Sequence, residues 1–260
     1  MMEKKYIFFD VDGTLTTGLK HGNVIPDDTL ETINKLKEAG HFLSLATGRP
    51  AFHAKNMGEL AGIDNIVCNG GYGAYVNGEE IFAEGMDQEE LFKLIDECEE
   101  NNISYGVSVE GDDYFLCNSQ ELKEKVDDFN FWATMEVDEN MHGKDFEKVT
   151  RMLVDKSYFD IKERNTYTKI ILMYYQAPFM IVEPDDKIGG IKRLMNHLNE
   201  PFEEVVCFGD GHNDITMLKE APLGIAMGNA VEEVKEVADY VTKASDEGGI
   251  LHACKHFKWI

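Results

Sequence analysis

Tyr6-Ile7-Phe8-Phe9-Asp10-Val11-Asp12-Gly13-Thr14-Leu15 is the stretch that decides the fold. Four apolar residues in a row, Tyr6–Phe9, predict a short strand buried on both faces, as parallel sheets require. Two carboxylates two residues apart then leave that strand into a glycine turn. In open α/β sheets ligands bind beyond the carboxyl ends of strands, so Asp10 and Asp12 are candidate site residues. Like charges this close are unfavourable unless a cation lies between them or one is protonated. Hard oxygen ligands suit Mg2+. One carboxylate can then serve as nucleophile and the other as general acid and base. Taken alone, the stretch also fits an acidic loop that caps a helix.

The rhythm continues downstream. Asp28–Ala39 keeps Leu30, Ile33 and Leu36 at helical spacing, with Asp28 and Glu31 as a capping-box-like start and Gly40 as the stop. Phe42–Ala46 reads as strand, Ala51–Leu60 as helix and Ile66–Cys68 as strand. This βαβαβ order implies a parallel sheet with right-handed crossovers. It returns late: helix Gly189–Leu198, strand Val205–Phe208, helix Asp214–Lys219, strand Leu223–Ala226, helix Val231–Ala238 and strand Tyr240–Thr242. The middle differs. Helices are expected at Asp87–Glu100 and Ser119–Phe129, a hairpin of Ile103–Val109 and Asp113–Asn118 turning at Glu110–Asp112, and a strand at Lys169–Tyr175. An α+β block, residues 84–183, is thus inserted into an α/β domain of residues 1–83 and 184–260.

Three further polar clusters sit at strand ends or helix starts. Thr47-Gly48-Arg49-Pro50 follows the second strand: a hydroxyl, a glycine that admits an anion to the backbone, and a proline suited to open a helix whose amides attract phosphate. Lys187 stands just before a helix, where a lone lysine is ordinarily a solvated charge and sits against the helix dipole. Gly209-Asp210-Gly211-His212-Asn213-Asp214 supplies two more carboxylates and an amide in a tight turn, without the spacing of a calcium-binding EF-hand. Each alone fits an ordinary turn. Together they make a Mg2+ site facing a phosphate site.

Composition narrows the partners. Of 260 residues, 49 are Asp or Glu and 25 Lys or Arg, a net charge of −24. Phosphate backbones and anionic membranes need clustered cations, so nucleic acid and membrane are disfavoured. Hydrophobic residues at 43% supply a real core. No apolar run approaches the ~20 residues of a membrane span, and the charged start Met1–Tyr6 does not resemble a signal peptide. Five widely spaced cysteines with no CxxC pair read as core residues in a reducing cytoplasm.

DVDGTL, LATGR, the helix-opening Lys187, GDGHND and the following Ala226-Met227-Gly228-Asn229-Ala230 resemble the haloacid dehalogenase (HAD) superfamily of phosphatases, and more narrowly its Cof-type branch. The resemblance is specific at Lys5–Asn69 and Lys187–Thr242 and loose between them. It implies a Rossmann-like parallel-sheet core with an inserted α+β cap domain that selects substrate. It implies that Asp10 attacks phosphorus, that Asp12 protonates the leaving oxygen and then activates water, that Thr47, Gly48 and Lys187 hold the phosphoryl group, and that Asn213 contacts the phosphate or Lys187. Mg2+ would be bound by Asp10, the Asp12 carbonyl and Asp210, with Asp214 supporting the site from behind.

The expected activity is Mg2+-dependent hydrolysis of small phosphorylated metabolites, sugar phosphates first and pyridoxal phosphate or a flavin mononucleotide second, by a monomer or homodimer. The rivals are a phosphomutase of the same superfamily, whose opening DVDGTLT resembles, and a non-catalytic binder of phosphorylated ligands. Asn69-Gly70-Gly71 reads equally as a loop facing the site or as a turn needing positive φ. Arg49 is expected to pair with a carboxylate, His212 to be exposed, and Trp132 with Phe129 and Phe131 to pack the cap. Glu183 and Asp185 are expected in a solvated linker. The cap carries 24 acidic and 10 basic residues over 84–184, seven of the basic ones between Lys144 and Lys169. Only about seven residues separate its last expected strand from the junction, so it reads as abbreviated. Thr16–His21 reads as a slightly long loop.

Overall fold

The computed structural model describes residues 3–18, 23–110, 113–129, 131–161, 167–173 and 177–260. The chain splits into two compact units, Met1–Phe82 with Asp186–Ile260, and Ala83–Asp185. In chain order the first unit opens with β1 (Tyr6–Phe9), α1 (Asp27–Glu38), β2 (Phe42–Ala46), α2 (Ala51–Ala61), β3 (Asn65–Cys68), β4 (Gly73–Val76) and β5 (Glu79–Ala83). The second holds α3 (Gln88–Glu100), β6 (Tyr105–Glu110), β7 (Tyr114–Cys117), α4 (Gln120–Asp128), β8 (Thr134–Val137), β9 (Met152–Asp155), α5 (Tyr158–Ile161), β10 (Ile170–Met173) and β11 (Phe179–Pro184). The first resumes with α6 (Lys187–Leu198), β12 (Val205–Gly209), α7 (Ile215–Glu220), β13 (Leu223–Ala226), α8 (Glu232–Val237), β14 (Tyr240–Val241) and α9 (Gly249–His256).

The first unit's sheet runs β14-β13-β12-β1-β2-β3-β4-β5. Its first six strands are parallel, and β4 adds antiparallel to β3. Numbered by appearance along the chain, the parallel strands lie in the order 3-2-1-4-5-6, the doubly wound arrangement. Alternation along β1 explains why its whole run is apolar. Ile7 and Phe9 pack with Ile33, Leu36, Ala54, Met57 and Ile250 of α1, α2 and α9. Tyr6 and Phe8 pack on the other face with Ile191, Leu194, Leu218 and Val234 of α6, α7 and α8. The strand order reverses between β1 and β12, which pair with Phe9 opposite Phe208. Both strands therefore deliver their next residues to one crevice.

The second unit is a sheet in the order β10-β11-β9-β6-β7-β8, antiparallel except for β7 with β8. Leu91, Leu94, Ile95 and Cys98 of α3 cover one face. Leu122 and Val126 of α4 pack on the other with Phe115, Leu153 and Phe179. Phe131 meets Phe179 edge to face at 5.3 Å and Trp132 meets Phe115 at 6.4 Å, so these aromatics pack this unit as expected.

Several local readings are corrected. The expected capping box at Asp28 and Glu31 does not form: α1 starts at Asp27 behind Pro26, so Asp28 lies inside the first turn and the N-cap residue has no side-chain acceptor to offer. Strands β4, β5, β8, β9 and β11 stand where no strand was expected. Glu183 is not in a solvated linker. It is buried on β11 and paired with Arg151 at 2.6 Å. The hairpin turn at 111–112, the end of the expected strand at 174–175 and the loop residues 19–21 lie outside the described residues.

Candidate active site

The loop after β1 folds back on itself, with Leu15 N–H donating to the Asp10 carbonyl at 3.1 Å and Thr16 N–H to the Val11 carbonyl at 2.9 Å. Gly13 sits at φ 93°, and a Cβ there would meet Asp210 Oδ2 at 2.3 Å. Only glycine allows the two loops this approach. As a result carboxylate oxygens of Asp10, Asp210 and Asp214 lie within 4.8 Å of one another. Thr14 Oγ1 donates to Asp210 Oδ1 at 2.7 Å. Asn229 Nδ2 donates to the Gly13 carbonyl at 2.8 Å, while its Oδ1 accepts from Ser245 N–H at 2.8 Å. Thr14 and Asn229 belong to stretches singled out from the sequence, yet their roles in setting the carboxylates were not read. The turn residues around Gly228-Asn229 after β13 were the available signal.

Lys187 is the first residue of α6, which Asp186 caps by accepting from Gly189 N–H at 3.0 Å. Far from solvated, Lys187 is 3% exposed. Its Nζ donates to Asp10 Oδ1 at 2.8 Å and to Asp214 Oδ1 at 2.6 Å. The other oxygen of Asp214 accepts from the Asp210 and Gly211 amides at 2.9 and 3.0 Å. Both Asp214 oxygens are thus committed to protein donors. Lys187 is thus shared between Asp10 and Asp214.

The electrostatics follow from burial. Burial first, then the repulsion of Asp214, raises the Asp10 carboxyl well above its usual range, against the opposing pull of Lys187. Burial also pushes Asp210 up to about 7, with the Thr14 hydroxyl opposing and Asp214 adding repulsion. Burial would lower the Lys187 ammonium, but Asp10 and Asp214 overcome it and raise it. Three clustered carboxylates therefore face one ammonium, which bonds two of them, a donor set of hard oxygens short of positive charge. Those residues fit a divalent cation.

Around this centre, Asp12 is half exposed and forked by Arg49, with Nε to Oδ2 at 2.8 Å and Nη2 to Oδ1 at 2.6 Å. Thr47 and Gly48 are buried at the carboxyl end of β2, the neighbour of β1. Thr47 Oγ1 accepts from Arg49 N–H at 3.1 Å. Gly70 N–H donates to the Thr47 carbonyl at 3.2 Å, lacing the turn after β3 to the turn after β2. Asn69, Gly70 and Gly71 have φ of 49°, 56° and 101°, so the turn reading is met. His212 is exposed. All five cysteines are buried and outside any disulfide, and burial pushes Cys98 and Cys254 up to about 12, so neither is a reactive thiol. Among the described residues no helix is long and apolar enough to cross a membrane.

Known proteins resemble this chain along its whole length. YkrA of Bacillus subtilis is 28% identical over 98% of each chain. The 5-amino-6-(5-phospho-D-ribitylamino)uracil phosphatase YitU of the same organism is 27% identical over 99% of each. The solved HAD subclass IIB sugar phosphatase BT4131 superposes with a TM-score of 0.77 at 30% identity, covering 99% of this chain and all of that one. A family model for haloacid dehalogenase-like hydrolases matches residues 7–254. With the doubly wound core, the inserted unit and the buried Asp–Lys cluster, this match places the chain in the haloacid dehalogenase-like hydrolase family, as a phosphatase of its Cof-type branch.

Proposed function

We propose that this phosphatase hydrolyses small phosphomonoesters, sugar phosphates first, through an aspartyl-phosphate on Asp10. The observation that carries the reading is the Lys187 ammonium joining Asp10 to Asp214 beside Asp210, in the crevice where the strand order reverses. Asp10 attacks phosphorus as the ester P–O bond breaks, and Asp12 gives the departing oxygen its proton. Asp12 then takes a proton from the water that attacks the aspartyl-phosphate, releasing phosphate and regenerating Asp10. Thr47, Gly48, Lys187 and Asn213 hold the phosphoryl oxygens.

Asp10, the Asp12 carbonyl and Asp210 would hold Mg2+, with Asp214 behind them. The ion would neutralise charge on the phosphoryl oxygens. Phosphoryl transfer needs mainly positioning and charge neutralisation. In a chain of net charge −24 those local cations also counter the repulsion of an anionic substrate. Residues 84–183 carry the selection of the leaving group. Sugar phosphates come first because BT4131 is described as a sugar phosphatase and YitU acts on a phosphorylated ribityl chain. Five cysteines outside any disulfide suit a cytoplasmic setting.

The test is phosphate release by purified protein with Mg2+ from sugar phosphates, pyridoxal phosphate, flavin mononucleotide and nucleotides. Wild type is expected to release phosphate, best from a sugar phosphate, and Asp10→Asn to release none. A folded, Mg2+-binding wild type that releases none from any ester, or that moves phosphate within a sugar, would overturn the proposal.

A further inference from the structure

Both connections between the units end on one small cluster of the first. Phe82 is the last residue of its leading segment and Asp186 the first of its returning one. The Arg193 guanidinium of α6 lies 4.2 Å from the Phe82 ring centre and 5.6 Å from that of Tyr72. Its Nη2 donates to the Gly71 carbonyl at 2.6 Å. Next along the same turn, the Gly70 carbonyl accepts from Asp186 N–H at 2.7 Å. The backbones leave no slack. A Cβ on Gly71 would meet the Asp186 carbonyl oxygen at 2.0 Å, and one on Gly190 would meet the Gly71 carbonyl oxygen at 2.5 Å. Arginine suits the position because its planar fork donates in plane while its face stacks on a ring. The chemistry proposed above makes no use of it.

We infer that Arg193 is a positioning residue that clamps both connections to the Asn69–Tyr72 turn. Through them it sets how strongly residues 84–183 discriminate between leaving groups. Altering residues at such connections changes kcat and KM together in many enzymes. The inference rests on the hydrolase reading and on leaving-group selection by residues 84–183. The plainer role in the same geometry is that Arg193 steadies α6 alone, and with it Lys187. The two roles separate by substrate. Lys187 serves every phosphoryl group alike, whereas the connections matter only where a leaving group is large enough to be gripped.

The experiment compares wild type, Arg193→Met and Arg193→Lys on acetyl phosphate and on the hexose phosphate that wild type turns over best. Arg193→Met is expected to lose about tenfold in kcat/KM on the hexose phosphate, the size of one charged hydrogen bond. It should stay within about twofold on acetyl phosphate, where little leaving group exists to be positioned. Arg193→Lys, which keeps a donor for Gly71, should recover part of the loss. Equal losses on both substrates would overturn the inference in favour of the plainer role.

Hydrogen exchange gives a readout without turnover. In Arg193→Met the amides of 82–86 and of Asp186 should exchange at least about tenfold faster while those of β12 are unchanged; unchanged exchange at the connections would overturn the clamp. If wild type turns over neither substrate, the hydrolase reading fails and the substrate half of the inference falls with it. Exchange still decides the clamp.

Discussion

Lys187 shows how far one side chain's role depends on its surroundings. In the sequence it is a single lysine before a helix, and the dipole there disfavours it. In the fold it is buried to 3% exposure between Asp10 and Asp214. The partners outweigh both the dipole and the desolvation, since a buried ammonium with two carboxylate contacts is strongly held. Lys187→Met would leave two buried carboxylates facing each other. It is expected to cost about 3–5 kcal/mol in urea unfolding and to abolish phosphate release. A variant as stable as wild type would show that the carboxylates find compensation elsewhere. Arg49 met its expectation more directly, since Asp12 lies within reach of its fork.

Strand β11 carries the clearest lesson among the elements. Met180 and Val182 face α3 while Phe179 and Ile181 face α4's side, so the run is apolar on both faces and shows no alternation. Pro184 is tolerated because it ends the strand. Next to it Glu183 sits beside β9's neighbour Arg151, which is 2% exposed, and Arg151 N–H donates to Ser108 Oγ on β6 at 3.1 Å. The charge pair ties the residue leading into β9 to β11, and the Arg151 backbone adds β6. Glu183→Gln keeps the shape and removes the charge, leaving the Arg151 guanidinium without its carboxylate. Unfolding by denaturant should show a loss of about 3 kcal/mol, confined to the transition of this unit if the two units melt separately. A loss below about 0.5 kcal/mol would mean the pair is no better than a surface bridge.

The first unit as a whole is closed by His41. Its Nδ1 accepts from Lys5 N–H at 3.0 Å and its Nε2 lies 3.3 Å from the Trp259 carbonyl. One neutral imidazole, protonated on Nε2, therefore joins the start of β1, the start of β2 and the tail after α9. Burial lowers its pKa below the ordinary 6.5, with the Lys5 charge adding and the Trp259 carbonyl opposing. The folded protein thus takes this proton less readily than the unfolded chain. Stability is complete above the ordinary value and is lost as pH falls through it. His41→Gln offers the same acceptor and donor without titrating. The wild-type Tm should fall relative to this variant between about pH 7 and about pH 5, and parallel Tm curves would refute the clasp.

The carboxylates and glycines of the site were legible because each cluster is contiguous and follows its strand directly. A strand of four buried residues ending in Asp10-Val11-Asp12-Gly13 can place those groups in only one way relative to its own sheet. The order of helices and parallel strands was legible for the same reason, since apolar spacing is a local property. What sequence could not decide was pairing across distance. Asn229 steadies Gly13 from 216 residues away, and Glu183 finds Arg151 across 32. Strands β4, β5, β8 and β9 are short and draw their stability from neighbours rather than from their own pattern. Whether a lysine is solvated or buried, and whether a glutamate is a linker or the partner of an arginine, depends on what the sheet brings beside it. That is settled by packing, because the desolvation of a charge and its compensation by a partner exist only once both are in place.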